Sequence, residues 1–340
     1  MTWTIPLAIA LGSCALAAAG TALLLPFLRR RGVIDHPSER SSHRIATPRG
    51  GGLAVSLAVC ASWLAARLSV PELPVALELP IAAGFALAVL SFIEDVRGMS
   101  VFLRLLLQAA AVALGLFALG PDQLVFQGAL PLALDRLLSG LIWLWFVNLY
   151  NFMDGIDGIS VVETAVLALG TGFAALAVLI EPHGLALAAL ALGAAALGFL
   201  PWNWHPAKIF LGDAGSVPLG YFAGFLLLWL AAQGLWAAAL ILSAYYLADA
   251  TTTLFARLLR GAPVWHAHRE HAYQRAVQRG LSHAQVSLLV ALVNLGLVLL
   301  ALVSLAGGAR TWAALAAAAV LALCFLWYLR RPGIPAGNAR

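Results

Sequence analysis

Residues 2–31 read TWTIPLAIALGSCALAAAGTALLLPFLRRR. The apolar run exceeds the roughly 20 residues that cross a bilayer as a helix. No basic residue precedes it, and Arg29-Arg30-Arg31 follows it. That order predicts a retained first helix rather than a cleaved signal, with its N-terminus outside. The rest of the chain continues the pattern. Of 340 residues, 62% are hydrophobic and 10% charged, with a mean hydropathy of +0.93. A soluble domain carries about 25% charged residues, so this chain has too little polar surface to cover a soluble fold. The net charge of +5 sits in short loops between apolar runs, which argues against a nucleic-acid partner and for membrane lipid. Cys14, Cys60 and Cys324 lie within apolar segments and read as small core residues, with no disulfide framework.

Eleven apolar segments have spanning length: 3–28, 51–70, 76–93, 101–120, 137–153, 158–180, 184–201, 214–232, 235–256, 284–306 and 311–329. They predict one all-α polytopic membrane domain over residues 1–340, with the N-terminus outside and the C-terminus cytosolic. The cytosolic loops are then 29–50, 94–100, 151–157, 202–213 and 257–283. Seventeen of the 20 Lys and Arg residues fall on that side, leaving Arg67, Arg136 and Arg310 outside. One missed helix would invert every later loop and destroy the bias. Gln233-Gly234 separates two helices that nearly touch, and 122–135 reads as a short outer hairpin.

The outer loops are chemically bland, whereas five cytosolic loops hold the unusual polar residues. The first contains Ser41-Ser42-His43-Arg44 and Thr47-Pro48-Arg49-Gly50-Gly51-Gly52. Glycines opening a helix let backbone N–H groups approach an anion; the plainer alternative is a positively charged loop with a glycine-rich helix start. The second holds Glu94-Asp95, adjacent carboxylates that repel unless a cation sits between them, or a solvated helix end. The third, Asn148-Leu-Tyr-Asn151-Phe-Met-Asp154-Gly155-Ile-Asp157, spaces four oxygen-bearing side chains by three residues. Such oxygens suit a hard divalent cation. The fourth places Asp213 between Gly212 and Gly215 after His205 and Lys208, as a metal ligand or as a helix cap. The fifth reads His266-Ala-His268-Arg269-Glu270-His271-Ala-Tyr273-Gln274. It could bind zinc, bind a pyrophosphate, or form a surface helix on anionic lipid.

In this order the loops resemble those of the polyprenyl-phosphate N-acetylhexosamine-1-phosphate transferases, of glycosyltransferase family 4 type. These membrane enzymes start bacterial polysaccharide and peptidoglycan lipid intermediates. The resemblance runs over residues 29–287. Residues 47–52 and 268–274 look like the branch that begins O-antigen or similar glycans. The family usually has two aspartates where this chain has Glu94-Asp95, which puts the role of Glu94 in doubt. The resemblance implies transfer of a sugar 1-phosphate from a UDP-N-acetylhexosamine to undecaprenyl phosphate, with release of UMP, at the cytosolic face of a bacterial inner membrane. It implies that Asn151 and Asp213 hold Mg²⁺, or Mn²⁺, on the pyrophosphate. Asp95 would sit by the attacking phosphate with Glu94 beside it, and Asp154 and Asp157 would orient the nucleotide sugar. His268, Arg269 and His271 would bind the pyrophosphate, with His43, Arg49, Asn148 and Lys208 as further substrate contacts. Asp249, a membrane carboxylate, is a further candidate, and a homodimer stays open as the assembly. Pocket shape, not spacing, selects among GlcNAc, GalNAc, FucNAc and QuiNAc. A transporter would instead place its polar residues at the midplane with access from both sides, and a scaffold subunit leaves the Asn/Asp series without a purpose.

Overall fold

In the computed structural model, residues 4–37, 45–70, 76–178, 183–262 and 268–331 are described. The helices are α1 (Thr4–Arg31), α2 (Gly52–Ser69), α3 (Glu78–Arg97), α4 (Val101–Leu116), α5 (Leu132–Phe152), α6 (Ile159–Val178) and α7 (His183–Asn203). After them come α8 (Asp213–Leu230), α9 (Trp236–Leu242), α10 (Ala244–Leu259), α11 (Ala272–Gln278), α12 (His283–Ser304) and α13 (Gly308–Arg330). Two short strands, β1 (Ile34–Asp35) and β2 (Thr47–Pro48), pair antiparallel with Ile34 opposite Pro48. The chain is thus an all-α polytopic membrane protein. Among the described residues, nine helical stretches are long and apolar enough to cross a membrane, and α4 is a shorter apolar helix.

Each expected span falls on helix, but the ninth, 235–256, is divided. Gly234 takes φ 86°, which breaks the helix after α8, and Ser243 separates α9 from α10. The Ala231 carbonyl, just before the break, accepts from Gln127 Nε2 at 2.7 Å, so a side chain satisfies the backbone where the helix is interrupted. The segment 122–135 is not a hairpin. It folds into turns because Asp135, fully buried, accepts the N–H groups of Val125 (3.3 Å) and Phe126 (2.9 Å). Arg136 donates to the carbonyls of Gly120 and Gln123. Side chains thus take the backbone groups that a ladder would have used.

Helix α8 is the centre of the bundle. It is apolar on every face, and 214–230 are all buried, the pattern of a helix surrounded by others. It packs against α3 and α5, while leucines and aromatics on α1 and α13, such as Leu23 and Trp312, point outward. The C-terminal ends of α3, α5 and α7 and the N-terminal ends of α2, α8 and α12 meet at one end of the bundle, and the polar loops meet there with them.

Candidate active site

The glycine-rich stretch Gly50-Gly51-Gly52 does not serve as an anion cradle. Its N–H groups at Gly51 and Gly52 are taken by the carbonyls of Phe210 (3.0 Å) and Leu211 (2.8 Å). The glycines are there for approach. A Cβ on Gly52 would stand 2.1 Å from the Gly215 Cα, so only glycine lets α2 and α8 start side by side. Phe210 N–H returns a bond to Pro48 O at 2.8 Å, which zips the loop after α1 to the segment before Asp213.

That zipper sets up a cap in trans. Gly212, at φ 71°, precedes α8 and has no side chain to cap it. The Asp95 carboxylate from α3 does so instead, accepting Asp213 N–H at 3.2 Å and Ala214 N–H at 3.0 Å. A Cβ at Gly212 would lie 2.6 Å from Asp95 Oδ2, so glycine is needed there for both conformation and space. Arg49 completes the arrangement, with Nε 3.3 Å from Asp95 Oδ1 and Nη2 donating to Asp95 O at 2.6 Å. The Asp95 side chain is 1% exposed. Its neighbour Glu94 points elsewhere, to Arg104 of α4 at 3.2 Å.

These elements enclose a cavity of about 270 Å³ lined by Arg49, Asp95, Asn151, Asp154, Asp157 and Asp213, with Asp35, Asn203, Phe210, Gln274 and His283. Asn151 is hydrogen-bonded to the Asp213 carboxylate, and its Oδ1 accepts from Ser216 Oγ at 2.7 Å. Burial pushes the Asp154 carboxyl up to about 7; the Ser160 hydroxyl opposes this, and the charges of Asp213, Asp95 and Asp157 add to it. Burial also pushes Asp157 up, but hydrogen bonds from His283 and His205 outweigh it and hold Asp157 below the usual carboxylate range. Crowded carboxylates beside an amide, with oxygen donors on Asn151, Asp154 and Asp213, form a set that fits a hard divalent cation.

Other expected residues lie apart. Asn148 is buried against Gln108 Oε1 at 2.8 Å and faces an apolar groove between α4, α5 and α10. Lys208 is exposed, its amine 5.5 Å from the Trp202 ring centre. His271 is buried with Nδ1 3.6 Å from Asp249 Oδ1. Asp249 in turn accepts Ala272 N–H at 2.9 Å, so it anchors the loop from below. His268 stacks on His271 with ring centres 4.9 Å apart. Burial pulls the His268 pKa down to about 4, and the charges of His271 and Arg257 pull the same way. Arg269 is exposed, and its neighbour Glu270 pairs with Arg257, Arg260 and Arg275. Of residues 268–274, Gln274 alone lines the cavity. His43 lies outside the described residues.

Sequence reasoning assigned no site role to Asp35, Asn203, His205, Gln274 or His283. Asn203 accepts Gly158 N–H and donates to Ile209 O, both at 3.0 Å. His205 Nδ1 lies 2.6 Å from Asp157 Oδ2. The only signal for His283 was its place behind Ser282, whose hydroxyl caps α12, and any polar residue can stand there.

Comparison with known proteins agrees with this geometry. The model for glycosyl transferase family 4 matches residues 78–231, which hold Asp95, Asn151, Asp154, Asp157 and Asp213. The chain is 30% identical over 277 residues to the probable undecaprenyl-phosphate N-acetylglucosaminyl 1-phosphate transferase of Bacillus subtilis, covering 77% of this chain and 75% of that one. It is 31% identical over 216 residues to the decaprenyl-phosphate N-acetylglucosaminephosphotransferase of Mycolicibacterium smegmatis, covering 57% and 52%. It is 28% identical over 219 residues to the phospho-N-acetylmuramoyl-pentapeptide-transferase of Bacillus cytotoxicus, covering 58% and 67%. With three quarters of the first relative aligned at 30% identity, and with the polar cavity inside the matched region, the chain belongs to glycosyl transferase family 4, among the polyprenyl-phosphate sugar-1-phosphate transferases.

Proposed function

We propose that this protein transfers the sugar 1-phosphate of a UDP-N-acetylhexosamine to undecaprenyl phosphate, releasing UMP, as the first step of O-antigen or related envelope polysaccharide synthesis. The observation that carries this reading is the meeting of Asp95, Asn151, Asp154 and Asp213 around one cavity at one end of a membrane bundle. The names of the relatives, which pair polyprenyl phosphates with N-acetylglucosamine, support a GlcNAc-type donor. The Lys and Arg bias supports a cytosolic site in an inner membrane. An apolar groove of about 530 Å³, lined by Leu105, Leu141, Trp145, Leu254 and Phe255, reaches Arg104, whose partner is Glu94. It offers a prenyl chain a path to the polar end.

The chemistry suits the residues. The lipid phosphate is already ionised at neutral pH, so proton removal is a small part of the barrier. The difficulty is bringing two anions together and stabilising the leaving UMP as the P–O bond between the donor's two phosphates breaks. Asn151 and Asp213 would hold Mg²⁺, which when bound neutralises pyrophosphate charge. Arg49, placed on the cavity wall by Asp95, adds a fixed cation. Asp154 and Asp157 stand on the opposite loop to orient the nucleotide sugar.

A panel of UDP-sugars with undecaprenyl phosphate and Mg²⁺ tests the reading. UMP release with at least one N-acetylhexosamine donor is expected. Lipid movement without UMP release would make the protein a transporter instead. Activity is expected to vanish in EDTA and to return with Mg²⁺ or Mn²⁺. Restoration by zinc alone would overturn the oxygen-ligand reading.

A further inference from the structure

Asp157 is held more completely than any other residue of its loop. Its amide N–H faces His283 Nδ1 at 3.3 Å, and its carbonyl accepts from Ser287 Oγ at 2.9 Å. Its Oδ2 receives His205 Nδ1 at 2.6 Å and Ala207 N–H at 3.2 Å, and His283 Nδ1 lies 3.3 Å from the same oxygen. Because a carboxylate accepts only, the His205 proton must sit on Nδ1. His283 holds the residue in either tautomer, by accepting from the amide or by donating to Oδ2. Among the described residues, every polar atom of Asp157 except Oδ1 is engaged, and the residue lines the cavity. Two segments remote in sequence, the loop after α7 and the start of α12, converge on the loop after α5 to hold one carboxylate in one rotamer.

We infer that His205 and His283 are positioning residues that present Asp157 Oδ1 as a fixed acceptor for a hydroxyl or N–H donor of the nucleotide sugar. The inference rests on the proposed function. A preset acceptor loses no rotamer freedom on binding, and a hydroxyl or N–H matched to it is discriminated from a substrate lacking it. The histidines act through Asp157 and do not touch the reacting phosphates.

The test compares His205→Phe with His205→Asn in full-length protein purified in detergent. Phenylalanine keeps the ring volume at a side chain 38% exposed, so folding is not at stake. Asparagine puts an N–H close to the place of Nδ1. His205→Phe is expected to raise KM for UDP-GlcNAc about tenfold, the size of one lost polar contact. The KM for undecaprenyl phosphate should stay unchanged and kcat should change less than threefold. His205→Asn is expected to recover most of the donor KM. Equilibrium binding of UDP-GlcNAc should follow the same order. Unchanged donor KM in His205→Phe, or loss confined to kcat without rescue by asparagine, would overturn the inference while leaving the function standing. Stoichiometric zinc in the wild type that disappears in His205→Phe would also overturn it, because Asp157, His205 and His283 would then be metal ligands. A wild type that neither binds nor turns over any UDP-sugar would sink the functional reading, and this inference with it.

Discussion

Asp213→Asn is expected to lower kcat by about 10²-fold or more while the protein stays folded. The competing explanation for an aspartate at the start of a helix is capping. The structure assigns capping elsewhere: the first N–H groups of α8 go to Asp95, and one of them is Asp213's own. The Asp213 carboxylate faces the cavity beside Asn151, where it can serve a cation and the pyrophosphate. Asparagine is isosteric and removes the charge alone. The measurement is steady-state turnover with both substrates saturating, on protein matched for monodisperse yield. Near-normal kcat would remove Asp213 from the metal site and leave the cavity without its central ligand.

Asp95→Asn is expected to abolish turnover, whereas Glu94→Gln keeps a measurable fraction and Glu94→Asp is active. The asymmetry has a structural cause. Asp95 binds two N–H groups and Arg49 at once, and an amide can offer only one oxygen to these three donors. Its NH₂ group would be turned against an N–H or the guanidinium. Leaving a buried N–H of α8 without its acceptor costs about 1–3 kcal/mol, so Asp95→Asn should also lower the thermal midpoint. It would displace Asp213 and Arg49 together. Displacements near 1 Å can cost about 10²-fold in rate. Among the described residues Glu94 has one ion-pair partner, Arg104, on a partly exposed pair, and glutamine keeps that hydrogen bond in neutral form. Kinetics and thermal midpoints of the three variants decide the matter. Equal losses in Asp95→Asn and Glu94→Gln would make the pair one functional unit.

Asp95 also shows where reading the sequence stopped. Its place beside the site was legible, because it stands at the end of an apolar run next to a second carboxylate. Its role as the cap of α8 was not, because that bond joins residues 118 apart in sequence. The same holds for Gly52, whose purpose is contact with Gly215, and for His271, which is turned toward Asp249. A glycine-rich helix start has the same local sequence whether its amides meet an anion or a neighbouring backbone.

Composition and the position of charge are sums over the chain. The sequence alone therefore determined the membrane class, the helix segments, and the gathering of the Asn/Asp residues and Asp213 on one side. Spacing along one helix end likewise made Asn151, Asp154 and Asp157 stand out. Which carboxylates face the cavity and which are consumed in holding it was decided only by tertiary structure. A hydrogen bond depends on distances of a few ångströms between segments far apart in the chain, and the packing of α2, α3, α5 and α7 around α8, with α12 against α6, sets those distances.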